Sequence, residues 1–118
     1  DVVIIDDMIS SGESMLDVAK QIKERKAKRV FICTTYGLFT DGLKKFDEYY
    51  EKGWIDKVIT TNLNYRDPEL LTRPYYVEAN MSKYLASIMD IINHDLSVEK
   101  VRSSNEKIME LMEKVSKR

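Results

Sequence analysis

The sequence predicts an α/β fold: three layers, with a mostly parallel sheet flanked by helices. Three observations lead there. Short apolar runs alternate along the chain with longer segments whose apolar residues recur at helical spacing. The first run, Val2, Val3, Ile4 and Ile5, is a block of β-branched aliphatics, the pattern of a strand buried on both faces in a parallel sheet. Turn and capping residues separate the runs, as crossover connections of right-handed sense require.

The apolar block runs into Asp6 and Asp7, which should emerge at the carboxyl end of the strand, where open parallel sheets bind ligands. Ser10-Ser11-Gly12-Glu13-Ser14 then opens a helix, whose N-terminal amides and dipole favour an anion. Met15, Val18, Ala19 and Ile22 stand at i, i+3, i+4 and i+7, one buried helical face, and the basic run 23–28 closes it. Residues 30–34 form the second strand, and Thr35-Tyr36-Gly37 leads out of it. Thr40 or Asp41 is placed to cap a helix carrying Leu43, Phe46 and Tyr50, with Gly53 as its terminating glycine. Residues 56–61 are a third strand ending at Asn62. In the loop that follows, Asp67-Pro68 can start a single helical turn. Residues 74–78 read as a short edge strand, where proline is tolerated.

Asn80 is placed to cap a long helix with Met81, Tyr84, Leu85, Ile88, Ile91 and Ile92 pointing inward. His94, near its end, has no partner evident in the sequence, and an interaction with the helix dipole explains it better than catalysis. After a connector, Ser103-x-x-Glu106 is a capping box for a last amphipathic helix with Ile108, Leu111, Met112 and Val115 on one side. The chain therefore divides into a domain over residues 1–102 and a terminal helix over 103–118.

Bulk properties exclude several classes. The 118 residues suit one domain or part of one, and 43% hydrophobic with 33% charged residues is ordinary globular composition. Nineteen basic residues against twenty acidic ones leave a charge of -1, which gives no electrostatic argument for nucleic acid or an anionic membrane. The sole cysteine, Cys33, lies in an apolar run and reads as a small buried residue in a reducing compartment. With no membrane-length apolar stretch and no signal peptide, a cytoplasmic location is the default. The chain starts at Asp1, without methionine, directly in a buried-type strand. The expectation is the C-terminal part of a longer protein, with a sheet incomplete at its N-terminus.

The acid pair beside an anion cradle points to a ligand with both hydroxyls and a phosphate, with a divalent cation between. Plainer readings stand alongside. Ser10-x-x-Glu13 makes a capping box without any ligand, and paired acids after a strand occur in other Mg²⁺-binding α/β domains. Thr60, Thr61 and Asn62 either end a strand or line the crevice. Trp54, Tyr75 and Tyr76 read as packing residues.

The aliphatic run, Asp6-Asp7 and the Ser10–Ser14 loop together resemble the phosphoribosyl-pyrophosphate (PRPP) loop of type I phosphoribosyltransferase folds. More narrowly they are similar to the ribose 5-phosphate loop of the ribose-phosphate pyrophosphokinase family. Thr34-Thr35-Tyr36-Gly37-Leu38-Phe39-Thr40 and Val58-Ile59-Thr60-Thr61-Asn62 resemble later segments of that family, as does the stretch 78–101, in the right order. The resemblance implies that Asp6 and Asp7 hold the ribose 2- and 3-hydroxyls, shared with Mg²⁺ as cofactor. It implies that Ser10, Ser11, Gly12, Glu13 and Ser14 wrap the 5-phosphate. The implied reaction transfers pyrophosphate from ATP to ribose 5-phosphate, giving PRPP and AMP. ATP and the catalytic Lys/Arg loop would be served by upstream residues, so no catalytic residue lies in these 118 and the chain alone should be inactive. A homo-oligomer is also implied. Three positions depart from the family: Ser10 replaces an aspartate, Glu13 a small residue and Tyr36 a histidine. They keep open a non-catalytic, ribose-phosphate-sensing regulatory subunit. A phosphoribosyltransferase consuming PRPP is the other alternative, and the later segments argue against it.

Overall fold

The computed structural model describes residues 1–94 and 105–116. Along the chain run β1 (Val2–Ile9), α1 (Glu13–Glu24), β2 (Val30–Gly37), α2 (Lys44–Glu51), β3 (Lys57–Thr61), α3 (Pro68–Leu71), β4 (Tyr76–Ala79), α4 (Ser82–Asn93) and α5 (Asn105–Ser116). The fold is α/β, with four parallel strands in the order β1-β2-β3-β4 and helices flanking the sheet. The chain forms two compact units, Asp1–Met81 with the whole sheet and Ser82–Arg118 with α4 and α5.

Register explains the core of the first unit. Ile4, Ile32, Val58 and Tyr76 pair across the four strands. They share one face of the sheet, because side chains alternate along a strand. Ile32 and Val58 are buried there with Met15, Leu16 and Ala19 of α1 and Phe46 of α2. Each large aliphatic or aromatic side chain so buried contributes about 1.5–3 kcal/mol. One pleat further along, the same face turns polar, and Asp6, Thr34, Thr60 and Glu78 form the next cross-strand row. The helical face expected from Met15, Val18, Ala19 and Ile22 is rotated slightly, since Val18 is exposed and Leu16 is buried instead.

Burial of β1 on both faces is not observed. The strand is one edge of the sheet, and Val3 and Ile5 are 53% and 80% exposed. α2 also starts later than the sequence indicated. Thr40 and Asp41 lie in a turn closed by the Gly42 N–H on the Phe39 carbonyl at 2.9 Å, and the helix begins after Leu43 without a side-chain cap. Its other end follows expectation. Gly53, at φ 69°, donates to the Tyr50 carbonyl while Trp54 donates to that of Tyr49, a Schellman arrangement that uses the last carbonyls. Asp67 caps α3 by accepting from the Glu69 N–H at 2.8 Å, with Pro68 in the first turn. β4 is the other sheet edge, and Asp47 of α2 braces the chain entering it. Its carboxylate accepts from Arg73 at 2.8 and 3.0 Å and from the Tyr75 hydroxyl at 2.8 Å.

In the second unit, α4 carries the apolar stripe read from the sequence, but none of its residues is buried. His94 does have a partner: its Nδ1 lies 2.9 Å from the Asp90 carbonyl oxygen and 3.3 Å from the Asp90 carboxylate. The stripe of Ile108, Leu111, Met112 and Val115 on α5 is exposed. Ser103 and the expected boundary at 102/103 lie outside the described residues.

Candidate functional site

The segment joining β1 to α1 sits at the carboxyl end of the sheet. β1 does not stop before the acids. Parallel pairing continues through Asp6 with Thr34 and Met8 with Tyr36, so both aspartates are strand residues. Both are exposed. The Asp7 N–H donates to the Asp6 carboxylate at 2.8 Å. Asp6 therefore stands over the polar row of Thr34 and Thr60, with Asp7 one residue nearer the loop.

The loop is stitched to the one that leaves β2. The Leu38 N–H donates to the Ile9 carbonyl at 2.8 Å and the Thr40 N–H to the Ser10 carbonyl at 3.0 Å. The Ser10 and Thr40 hydroxyls meet at 3.4 Å. Gly12 is the N-cap residue of α1, with φ 81° and ψ 0°, and is buried against the aromatic core. A Cβ there would lie 2.4 Å from Phe46 Cζ and 2.7 Å from Cε2, so only glycine lets the backbone rest on that ring. From this bend Glu13 and Ser14 lead into the first turn, whose amides have no helical acceptors of their own.

Glu13 does not close a capping box with Ser10. Its carboxylate pairs with Lys45 of α2, and its own N–H lies 3.5 Å from the Ser11 hydroxyl. The Lys45 hydrogen bond and charge hold the Glu13 carboxyl below its usual range, and the same bond raises the Lys45 ammonium. One helical turn along, the Tyr49 hydroxyl donates to Asp17 at 3.3 Å. Two rungs thus tie α1 to α2 beside the loop.

The structure brings the sequence-derived residues Asp6, Asp7, Ser10, Ser11, Gly12, Glu13 and Ser14 into one continuous strand-to-helix transition. Thr60, Thr61 and Asn62 serve the end of β3. The Thr60 hydroxyl meets the Tyr76 hydroxyl at 2.9 Å, Thr61 donates to the Thr35 carbonyl at 2.6 Å, and Asn62 accepts from the Met81 N–H at 2.7 Å. Sequence reasoning missed Thr40, Lys45 and Phe46 as supports of the loop. For Thr40 the signal was the Gly-Leu-Phe-Thr segment after β2; for Lys45, 32 residues from its partner, there was none.

Among the described residues no cluster of three or more His, Cys, Asp or Glu is placed to hold a metal ion. Asp6 and Asp7 are the carboxylates that could serve Mg²⁺ here. That ion takes one or two carboxylates and fills the remaining octahedral positions with water and ligand oxygens. Among the described residues no helix is long and apolar enough to cross a membrane.

Residues 2–102 match the family described as the phosphoribosyl synthetase-associated domain. The ribose-phosphate pyrophosphokinase of Shewanella oneidensis is 32% identical over 98 residues, covering 83% of this chain and 30% of the relative. That of Mycoplasmopsis pulmonis is 34% identical over 92 residues, covering 75% and 28%. A crystal structure of phosphoribosylpyrophosphate synthetase from Mycobacterium smegmatis superposes with a TM-score of 0.67 at 22% identity, over 79% of this chain and 30% of that one. The chain spans about 30% of the length of the curated relatives it matches.

Proposed function

The chain belongs to the phosphoribosyl synthetase-associated domain family, and from that premise we propose that residues 6–14 hold ribose 5-phosphate, or the PRPP made from it, in a ribose-phosphate pyrophosphokinase. One observation carries the reading. Two exposed carboxylates and a glycine-led helix start occupy the same carboxyl end of a parallel sheet, with four residues between Asp7 and Gly12, inside the stretch 2–102 that matches the family.

The chemistry is complementary. Ionised Asp6 and Asp7 accept hydrogen bonds from the ribose 2- and 3-hydroxyls, and charge-assisted bonds of this kind are among the stronger ones. Ser10, Ser11 and Ser14 offer hydroxyls, and Gly12 and Glu13 offer backbone N–H groups, to the 5-phosphate at the positive end of the α1 dipole. Mg²⁺, where bound, supplies neutralisation of the phosphate charge. This chain's own residues orient the sugar so that its anomeric hydroxyl can attack ATP, and in-line positioning is a large part of such catalysis. ATP and the groups that stabilise the transferring pyrophosphoryl belong to residues outside this stretch, in a homo-oligomer. The isolated chain should release no AMP. Asp6→Ala combined with Asp7→Ala should abolish Mg²⁺-dependent ribose 5-phosphate binding; unchanged binding would make the acid pair structural.

A second reading, a non-catalytic ribose-phosphate-binding subunit, is favoured by two residues of the loop itself. Ser10, its hydroxyl 3.4 Å from that of Thr40, stands where the resembled family has a carboxylate, and Glu13 adds negative charge at the helix start. The full-length protein incubated with ATP, Mg²⁺ and ribose 5-phosphate separates the two. AMP formation supports the kinase, and its failure supports the regulatory subunit.

A further inference from the structure

Glu13 is an anomaly for an anion site. It is the first residue of α1, inside the loop proposed to receive a phosphate, and a carboxylate there repels what the helix start attracts. The structure answers it with Lys45, 32 residues away on the neighbouring helix, whose ammonium is bound to the Glu13 carboxylate. The pair sits on the lip of a groove of about 310 Å³ between α1 and α2, lined by Glu13, Asp17, Lys45 and Tyr49 among others. The groove is continuous along one side, because Glu13 and Asp17 are one turn apart on α1 while Lys45 and Tyr49 are one turn apart on α2. Both side chains of the ion pair are about half exposed, so the bridge is not needed to close the core. An exposed ion pair also adds little stability.

We infer that Lys45 is a positioning residue of the anion loop: it draws the Glu13 carboxylate toward α2 and neutralises it, and so sets the loop's affinity for the phosphate of its ligand. This rests on the reading of residues 6–14 as a ribose-phosphate site and adds to it a residue that neither the motif nor its resemblance contains. Lys45 does not itself touch the anion. With Lys45 gone, Glu13 keeps its charge and returns to the helix start. For an exposed carboxylate a few ångströms from a phosphate, the repulsion weakens binding roughly three- to tenfold at low salt, and it fades as ionic strength rises.

The test is an NMR titration of the 118-residue chain with ribose 5-phosphate and Mg²⁺, repeated with inorganic phosphate, following the amides of residues 10–16. Lys45→Met should weaken both ligands by that factor, Lys45→Arg should bind as the parent does, and Glu13→Gln with Lys45→Met should restore or exceed parental affinity. Far-ultraviolet circular dichroism and a urea midpoint near that of the parent establish that each variant is folded. Parental affinity in Lys45→Met overturns the inference while leaving the site assignment intact. A double variant as weak as Lys45→Met also overturns it, because Lys45 would then be contacting the anion directly. A parent chain that binds neither ligand removes the site assignment and this inference together.

Discussion

Replacing Gly12 by alanine tests the geometry on which the loop depends. Two effects add. The backbone there is left-handed, at φ 81°, and an L-residue in that region costs about 1–2 kcal/mol relative to glycine. The new Cβ would also stand 2.4 and 2.7 Å from two ring carbons of Phe46, about 1 Å inside an ordinary contact of roughly 3.5–4.0 Å. The ring has little freedom to retreat: it is wholly buried and packs edge-on against Phe39 at 5.1 Å. Overpacking of this kind costs about 1–3 kcal/mol. Alanine stiffens the unfolded chain and returns about 0.4–1 kcal/mol, so the net loss is about 1–5 kcal/mol. With a mid-range urea slope of about 2 kcal/mol/M, the unfolding midpoint should fall by about 0.5–2.5 M. Equilibrium unfolding followed by Trp54 fluorescence and circular dichroism measures it. Gly12→Ala with Phe46→Leu carries its own cavity cost, so the informative quantity is the coupling. The double variant should be more stable than the sum of the singles by about 1 kcal/mol or more. A midpoint within about 0.3 M of the parent, under 1 kcal/mol on that slope, would refute the claim that the loop is bent over Phe46 in a conformation only glycine accepts.

Two further predictions concern stability away from the loop. The Tyr75 hydroxyl is buried and donates to Asp47 at 2.8 Å, and burial followed by that bond pushes its pKa well above the usual phenol range. Its protonated form is therefore favoured by folding. The stabilisation is whole below the unfolded value of about 10 and is lost as the pH rises above it. Tyr75→Phe should cost about 1 kcal/mol at neutral pH and flatten the alkaline fall seen in urea midpoints between pH 9 and 11; an unchanged fall would assign it to other groups. Lys26 sits at φ 68° just past α1, with its N–H on the Lys23 carbonyl, in the position that glycine usually fills. Lys26→Gly should stabilise the chain by about 0.5–1 kcal/mol, read as a raised urea midpoint. A lowered midpoint would show that Lys26 is not left-handed in solution.

Much of the fold was legible because it follows from local pattern. The aliphatic blocks became strands, Asp67-Pro68 became a capped turn, and Gly53 ended α2. What was not legible came from contacts distant in sequence. β1 runs through Asp6 and Asp7 because β2 offers register partners as far as Gly37, and nothing within residues 2–9 announces this. α2 begins after Leu43 because Thr40 is engaged with Ser10, across 30 residues. Read locally, Ser10-x-x-Glu13 is a capping box. In the folded chain the glycine bend takes the N-cap position and Glu13 turns to Lys45. The acid pair and the serine loop were legible as a site because they are contiguous. Their supports, Phe46 beneath and Lys45 beside, were not, since each comes from a helix more than 30 residues on.

Residues 6–14 are proposed to be where this chain meets a ribose phosphate. The most direct measurement is a ¹H–¹⁵N titration of the chain with ribose 5-phosphate in the presence and absence of Mg²⁺, with every amide assigned. Saturable shifts are expected, concentrated at residues 6–16, dependent on Mg²⁺ and absent when Asp6 and Asp7 are both alanine. Shifts centred elsewhere, or shifts that persist in the double-alanine chain, would contradict it.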